Sequence, residues 1–126
     1  MKRASYLVAV ALSGTALAQP VSQVPWMTGE RLVQLTTAAP GAKGNFDLTR
    51  EQYRDHERVR NYVEGVHDAT EGKDWCYSEK YHPGPSALQE DAVWGLRKLP
   101  PDQLKRNAAD LIVGIWRKKW PCGGKR

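Results

Sequence analysis

Cys76 and Cys122 are the two cysteines of this 126-residue chain, and they bracket its second half. Neither has a neighbouring cysteine at metal-type spacing, and the two-residue separation of a redox motif is absent. A bond between them would close a loop of about 45 residues. It would stabilise the fold by roughly 3–4 kcal/mol on the chain-entropy argument. The competing readings are a catalytic thiol, which needs a histidine base, or a redox pair. A structural disulfide has meaning only in an oxidising compartment.

The N-terminus supplies such a destination. Lys2 and Arg3 form a positive start, Tyr6 to Leu12 is a short apolar run, and Ala16-Leu17-Ala18 has the small-x-small form of a cleavage site. The run is too short to span a bilayer as a helix. Residues 1–18 therefore read as a cleaved secretory signal, and residues 19–126 as one exported domain that keeps no membrane attachment. No second apolar stretch follows that could serve as an anchor.

Removing Lys2 and Arg3 lowers the formal charge from +5 to +3, because residues 1–18 contain no acidic residue. That is ordinary for solubility. The basic excess gathers at Arg117, Lys118, Lys119, Lys125 and Arg126 rather than along a face interleaved with aromatics. Nucleic-acid binding is not expected from this pattern. A chain of this length can bury a modest core, and five tryptophans would help fill it.

Helical periodicity accounts for most of the chain. Thr28 opens a short first helix carrying Leu32, Val33 and Leu35, and the Pro/Gly-rich stretch at 39–44 reads as a linker. Thr49 and Gln52 have capping-box spacing. Tyr53, Val59, Tyr62, Val63, Val66 and Ala69 then recur at three- and four-residue steps, up to a stop at Gly72. Gly65 interrupts this second helix, and its expected use is close approach of a neighbour. Ser86 and Gln89 repeat the capping spacing and predict a third helix with Leu88, Ala92, Val93 and Leu96, ended by Pro100-Pro101. A single turn at 102–105 and a fourth helix opened by Asn107 follow; Pro121 stops it. The expected fold class is all-α: a small bundle of about four helices stapled by one disulfide.

Catalytic patterns are sparse. His56 and His67 are eleven residues apart, about 16 Å along a helix, too far to share one metal. Glu64, Asp68 and Glu71 read as a solvated helix face. The sequence holds no Gly-x-Ser-x-Gly, no HExxH and no phosphate loop. No catalytic residue, metal or cofactor is therefore assigned. The loop between the second and third helices is different. It holds Trp75, Tyr77 and Tyr81 and ends in His82-Pro83-Gly84-Pro85. Tyrosine offers large contact area at low entropy cost, and prolines beside a disulfide would stiffen the loop before binding. Trp75 is expected to pack over the end of the bundle. Tyr77, Tyr81 and His82 are the candidate partner-binding residues, with packing as the alternative.

Five pieces together resemble the Rap/Tai family of periplasmic immunity proteins. They are Thr28-Gly29-x-x-Leu32, Tyr62-Val63-x-Gly65-Val66-x-Asp68, Cys76, Ala108-Ala109-x-Leu111-Ile112 and Trp120-Pro121-Cys122. The resemblance runs from about residue 28 to 122. It implies a helical, often dimeric inhibitor that binds and occludes a peptidoglycan amidase toxin delivered by type VI secretion. Cys76 and Cys122 carry over as the structural pair. Many members look to have a further cysteine pair, at places held here by Thr36 and Val59.

Two further readings compete. A periplasmic adaptor or structural protein of the same fold would have no toxin partner. A small enzyme would need a reactive thiol or a metal.

Overall fold

The computed structural model describes residues 24–36, 48–77 and 82–123. Residues 1–18, the linker at 39–44, Tyr81, Lys125 and Arg126 lie outside that set. Among the described residues five helices follow in chain order: α1 (Gly29–Leu35), α2 (Arg50–Thr70), α3 (Pro85–Arg97), the single turn α4 (Pro101–Leu104) and α5 (Ala108–Lys119). The fold is all-α, with one Cys76–Cys122 disulfide. Among the described residues there is no strand, only two isolated bridges. None of their helices is long and apolar enough to cross a membrane.

Local chemistry sets the helix starts. Thr49 Oγ1 accepts from the Gln52 N–H at 3.2 Å, while Gln52 Oε1 accepts from the Thr49 N–H at 2.9 Å. This reciprocal box satisfies two donors that would otherwise be orphaned at the start of α2. Thr28 Oγ1 caps α1 by accepting from the Arg31 N–H, and Asn107 Oδ1 caps α5 by accepting from the Ala109 N–H. The Ser86–Gln89 expectation fails. α3 begins at Pro85 after an N-cap at Gly84, two residues before the expected cap, with no side-chain cap. The proline ring presets φ and removes one N–H that would have needed a partner.

The core is a continuous cluster drawn from α1, α2, α3 and α5 together with Trp75 and Trp120. From α2 it takes Val59, Val63 and Val66. Tyr53 and Ala69, expected on the same stripe, face outward; Tyr53 is 52% exposed. Tyr53 lies six residues before Val59, about 1.7 turns and so about 120° around the helix from it, and the buried stripe is narrower than the apolar pattern. Three tryptophans are buried; Trp26 and Trp94 stand exposed and add nothing to the core.

α3 and α5 form the most extensive helix pair. Gly95 permits it: a Cβ there would meet the Ile115 side chain at 2.7–2.9 Å. This is the close approach that the sequence assigned to Gly65. Gly65 is exposed instead, with no atom within 4 Å of where its Cβ would stand.

The two ends of α5 are each tied to a distant segment. At its start, Thr28 and Asn107 form an antiparallel bridge. The Gly29 N–H donates to Arg106 O at 3.1 Å, and the Ala108 N–H donates to Met27 O at 2.9 Å. A Cβ on Gly29 would lie 2.7 Å from Leu111 Cδ1 and 3.2 Å from Leu104 O, so glycine fits this crossing where larger residues would not. At the far end the tie is covalent, and it builds the candidate site.

Candidate functional site

α2 ends at Thr70 and the chain turns sharply. Gly72 takes a positive φ of 77°, and its N–H donates to Trp75 O at 2.8 Å. The Lys73 and Asp74 N–H groups return to Thr70 O. This turn drops Trp75 into the core with no exposed surface. The indole N–H keeps a partner there, donating to Thr70 Oγ1 at 2.9 Å, while the Thr70 hydroxyl donates to Val66 O. Trp75 lies 4.8 Å from Trp116 and 5.9 Å from Trp120, ring centre to ring centre. Such aromatic pairs add to the area they bury.

The end of α5 holds this turn at three points. The Cys76 N–H donates to Trp120 O at 2.9 Å, the Cys76–Cys122 bond closes a separation of 46 residues, and Arg117 Nε donates to Asp74 O at 2.8 Å. Neither cysteine is free. The thiol required by the enzyme reading is therefore absent from the oxidised protein.

Tyr77 follows immediately. It is half-buried, edge-on to Trp75 at 5.0 Å, and its hydroxyl lies 2.7 Å from His67 Nε2. His67 Nδ1 lies 2.8 Å from Asp68 Oδ1. The network assigns the tautomer: Nδ1–H donates to the carboxylate and Nε2 accepts from the tyrosine. Both ring nitrogens of His67 are thus engaged, and neither is left over as a base or metal ligand. Burial pushes the Tyr77 hydroxyl pKa up, and the nearby charges of Glu71 and Asp68 push it further. The phenol accordingly remains a hydrogen-bond donor.

These side chains surround a cleft of about 240 Å³ between α2 and the start of α3, lined by Val63, Glu64, His67, Asp68, Tyr77, Pro85 and Leu88. Val63 and Leu88 give an apolar floor, while Glu64 and Asp68 stand exposed at the rim. Of the candidate partner-binding residues, Tyr77 is in the wall of this cleft. His82 is exposed, with its ring 5.2 Å from that of Tyr77. Tyr81 lies outside the described residues. The sequence favours a solvated or hydrogen-bonded helix face for Glu64, His67 and Asp68 over a weak metal site of His67, Asp68 and Glu71. Their helical spacing was visible, but the turn that folds Tyr77 back onto His67 was not. Among the described residues, no three His, Cys, Asp or Glu side chains are grouped so as to hold a metal.

His56 behaves unlike His67. Its Nε2 is buried and finds no partner among the described residues. Thr36 and Val59 are held by other contacts. Thr36 O and Oγ1 both accept from Arg97 Nη2, at 3.3 and 3.2 Å, and Val59 is fully buried.

Residues 28–122 match the family model described as Rap1a immunity proteins. The match begins at the Thr28 cap and ends at the second cysteine, so it takes in all five helices and the disulfide. No curated protein matches the chain.

Proposed function

The chain belongs to the Rap1a immunity protein family, and on that premise we propose that it is a periplasmic immunity protein that binds and occludes a peptidoglycan amidase delivered by type VI secretion. The family match across the whole helical frame carries this reading. Three features are consistent with it. The sequence opens with a signal-like segment at 1–18. The fold contains a disulfide, which persists in oxidising compartments. The turn that carries Tyr77 is tied to α5 through Cys76, which lowers the ordering entropy that Tyr77 would lose on binding.

Inhibition in this reading comes from contact and not from turnover. Tyr77, Tyr81 and His82 are the proposed toxin-contacting residues, presented between α2 and α3. Self-association into a homodimer belongs to the same reading and is read by sedimentation.

The deciding experiment mixes the purified oxidised protein with each candidate cell-wall amidase from the same organism and follows peptidoglycan hydrolysis. Stoichiometric inhibition of one amidase is expected. Protection should follow when that amidase is directed to the periplasm of cells that co-express the full chain. If every candidate amidase keeps full activity at excess protein, the reading fails.

A further inference from the structure

The cleft between α2 and α3 differs in charge from other surface hollows among the described residues. Three of those mix basic with acidic side chains: Lys105 and Arg106 with Asp110; Arg31, Arg54 and Arg58 with Glu51 and Asp55; and Arg106 and Arg117 with Asp74 and Asp110. Among the described residues, the α2–α3 cleft is lined by two carboxylates and by no lysine or arginine. This stands out in a chain with a formal charge of +5.

The carboxylates are only lightly committed. Asp68 accepts from His67 through one oxygen, and its side chain is 82% exposed. Glu64 faces Arg60 at 3.6 Å across one exposed helical turn, a pairing of small worth in water. The negative field reaches into the cleft, since Asp68 helps to raise the pKa of the Tyr77 hydroxyl. Beneath this rim the surface is apolar, formed by Val63, Pro85 and Leu88. An apolar floor under an anionic rim is complementary to a long side chain with a methylene stem and a cationic head.

We propose that this cleft receives a lysine or arginine side chain of the protein partner, its stem on Val63, Pro85 and Leu88 and its charge between Glu64 and Asp68 beside the Tyr77 ring. The assignment rests on the reading that the chain binds a protein effector, and it deepens that reading by naming what the effector must present. Salt weakens such a contact, because the head group stays near solvent.

The test uses small probes. N-acetyl-arginine methylamide and N-acetyl-lysine methylamide are titrated into the oxidised, isotope-labelled protein, with N-acetyl-norleucine methylamide as the uncharged control. Saturable amide shifts at Glu64, His67, Asp68, Tyr77 and Leu88 are expected with a cationic probe and not with norleucine. The E64Q/D68N double variant keeps both shapes and should bind the same probe about tenfold more weakly. Both substitutions are at exposed positions, so an unchanged melting temperature shows that the frame is intact. Cleft shifts that are absent, equal with norleucine, or untouched in the double variant overturn the proposal.

The two readings fail separately. Probe binding without inhibition of any amidase removes the proposed toxin and leaves the cleft. An amidase inhibited equally by wild type and by E64Q/D68N leaves the immunity role and removes the cleft.

Discussion

The two ends of α5 solve one mechanical problem with different chemistry. At the start, the chain around Thr28 is fastened to residues 106–108 by backbone hydrogen bonds and a bridge, with Gly29 in close contact with Leu111 and Leu104. At the finish, the turn after α2 is fastened by a disulfide, three packed tryptophans and the Arg117–Asp74 contact. The first fastening demands a particular backbone path and very small side chains. The second demands particular side chains as well, on a turn whose backbone is set by the positive φ at Gly72 and the Cys76–Trp120 hydrogen bond. The candidate site lies against the second, where a covalent tie holds an aromatic residue one position away from it.

The largest effect should come from cutting the covalent tie. Cys76→Ser with Cys122→Ser should lose roughly 3–4 kcal/mol in chemical denaturation. The fastening at the other end should survive, with the Gly29 and Ala108 amides still slow in hydrogen exchange under native conditions. If those amides lose protection as fast as Cys76 does, the two ends are one cooperative unit and the contrast collapses.

Next comes the other end. Gly29→Val forces a branched side chain against Leu111 and the Leu104 carbonyl and should cost about 2 kcal/mol. A third comparison separates two buried indoles. Trp75 donates to Thr70, whereas Trp116 Nε1 has no partner among the described residues. Trp75→Phe should therefore cost about 1 kcal/mol more than Trp116→Phe. Equal losses in thermal melts would mean that the indole bond contributes nothing beyond ring packing. Asn107→Ala removes the α5 cap and should cost about 1 kcal/mol.

The smallest effect is on pH dependence, and it touches both ends through two tyrosines. Burial raises the Tyr62 pKa against an opposing hydrogen bond at the Ala109 backbone, with Asp110 adding to the rise. Tyr77 is raised by burial, Glu71 and Asp68. A raised folded pKa means that the unfolded chain gives up its proton first, near pH 10. This contribution is fully present below that pH and is lost as pH climbs through the folded values. Denaturation midpoints between pH 8 and 11 should fall less steeply for the Tyr62→Phe, Tyr77→Phe double variant than for wild type.

What the sequence revealed follows the range of the interactions. The Thr49–Gln52 box depends on four consecutive residues and was readable at once. The same spacing at Ser86–Gln89 misled because Pro85 had already started the helix. Glycines could be located but their neighbours could not, so the close approach that the pattern assigned to Gly65 belongs to Gly95. The disulfide was legible by simple count. The meeting of His67 and Tyr77 was not: it depends on the positive φ at Gly72, the burial of Trp75 and the grip of α5 on the turn.

The position of the second sulfur sets an order on synthesis. α2 and the turn with Cys76 are made first, but Cys122 lies 46 residues further on, beyond α5. At translation rates of about 5–20 residues per second, roughly 2–9 s separate the two. A chain halted before residue 122 can contain α2, α3 and Tyr77 yet lacks the covalent lock on the turn. Oxidation of this pair therefore requires that the chain has been made past all five helices.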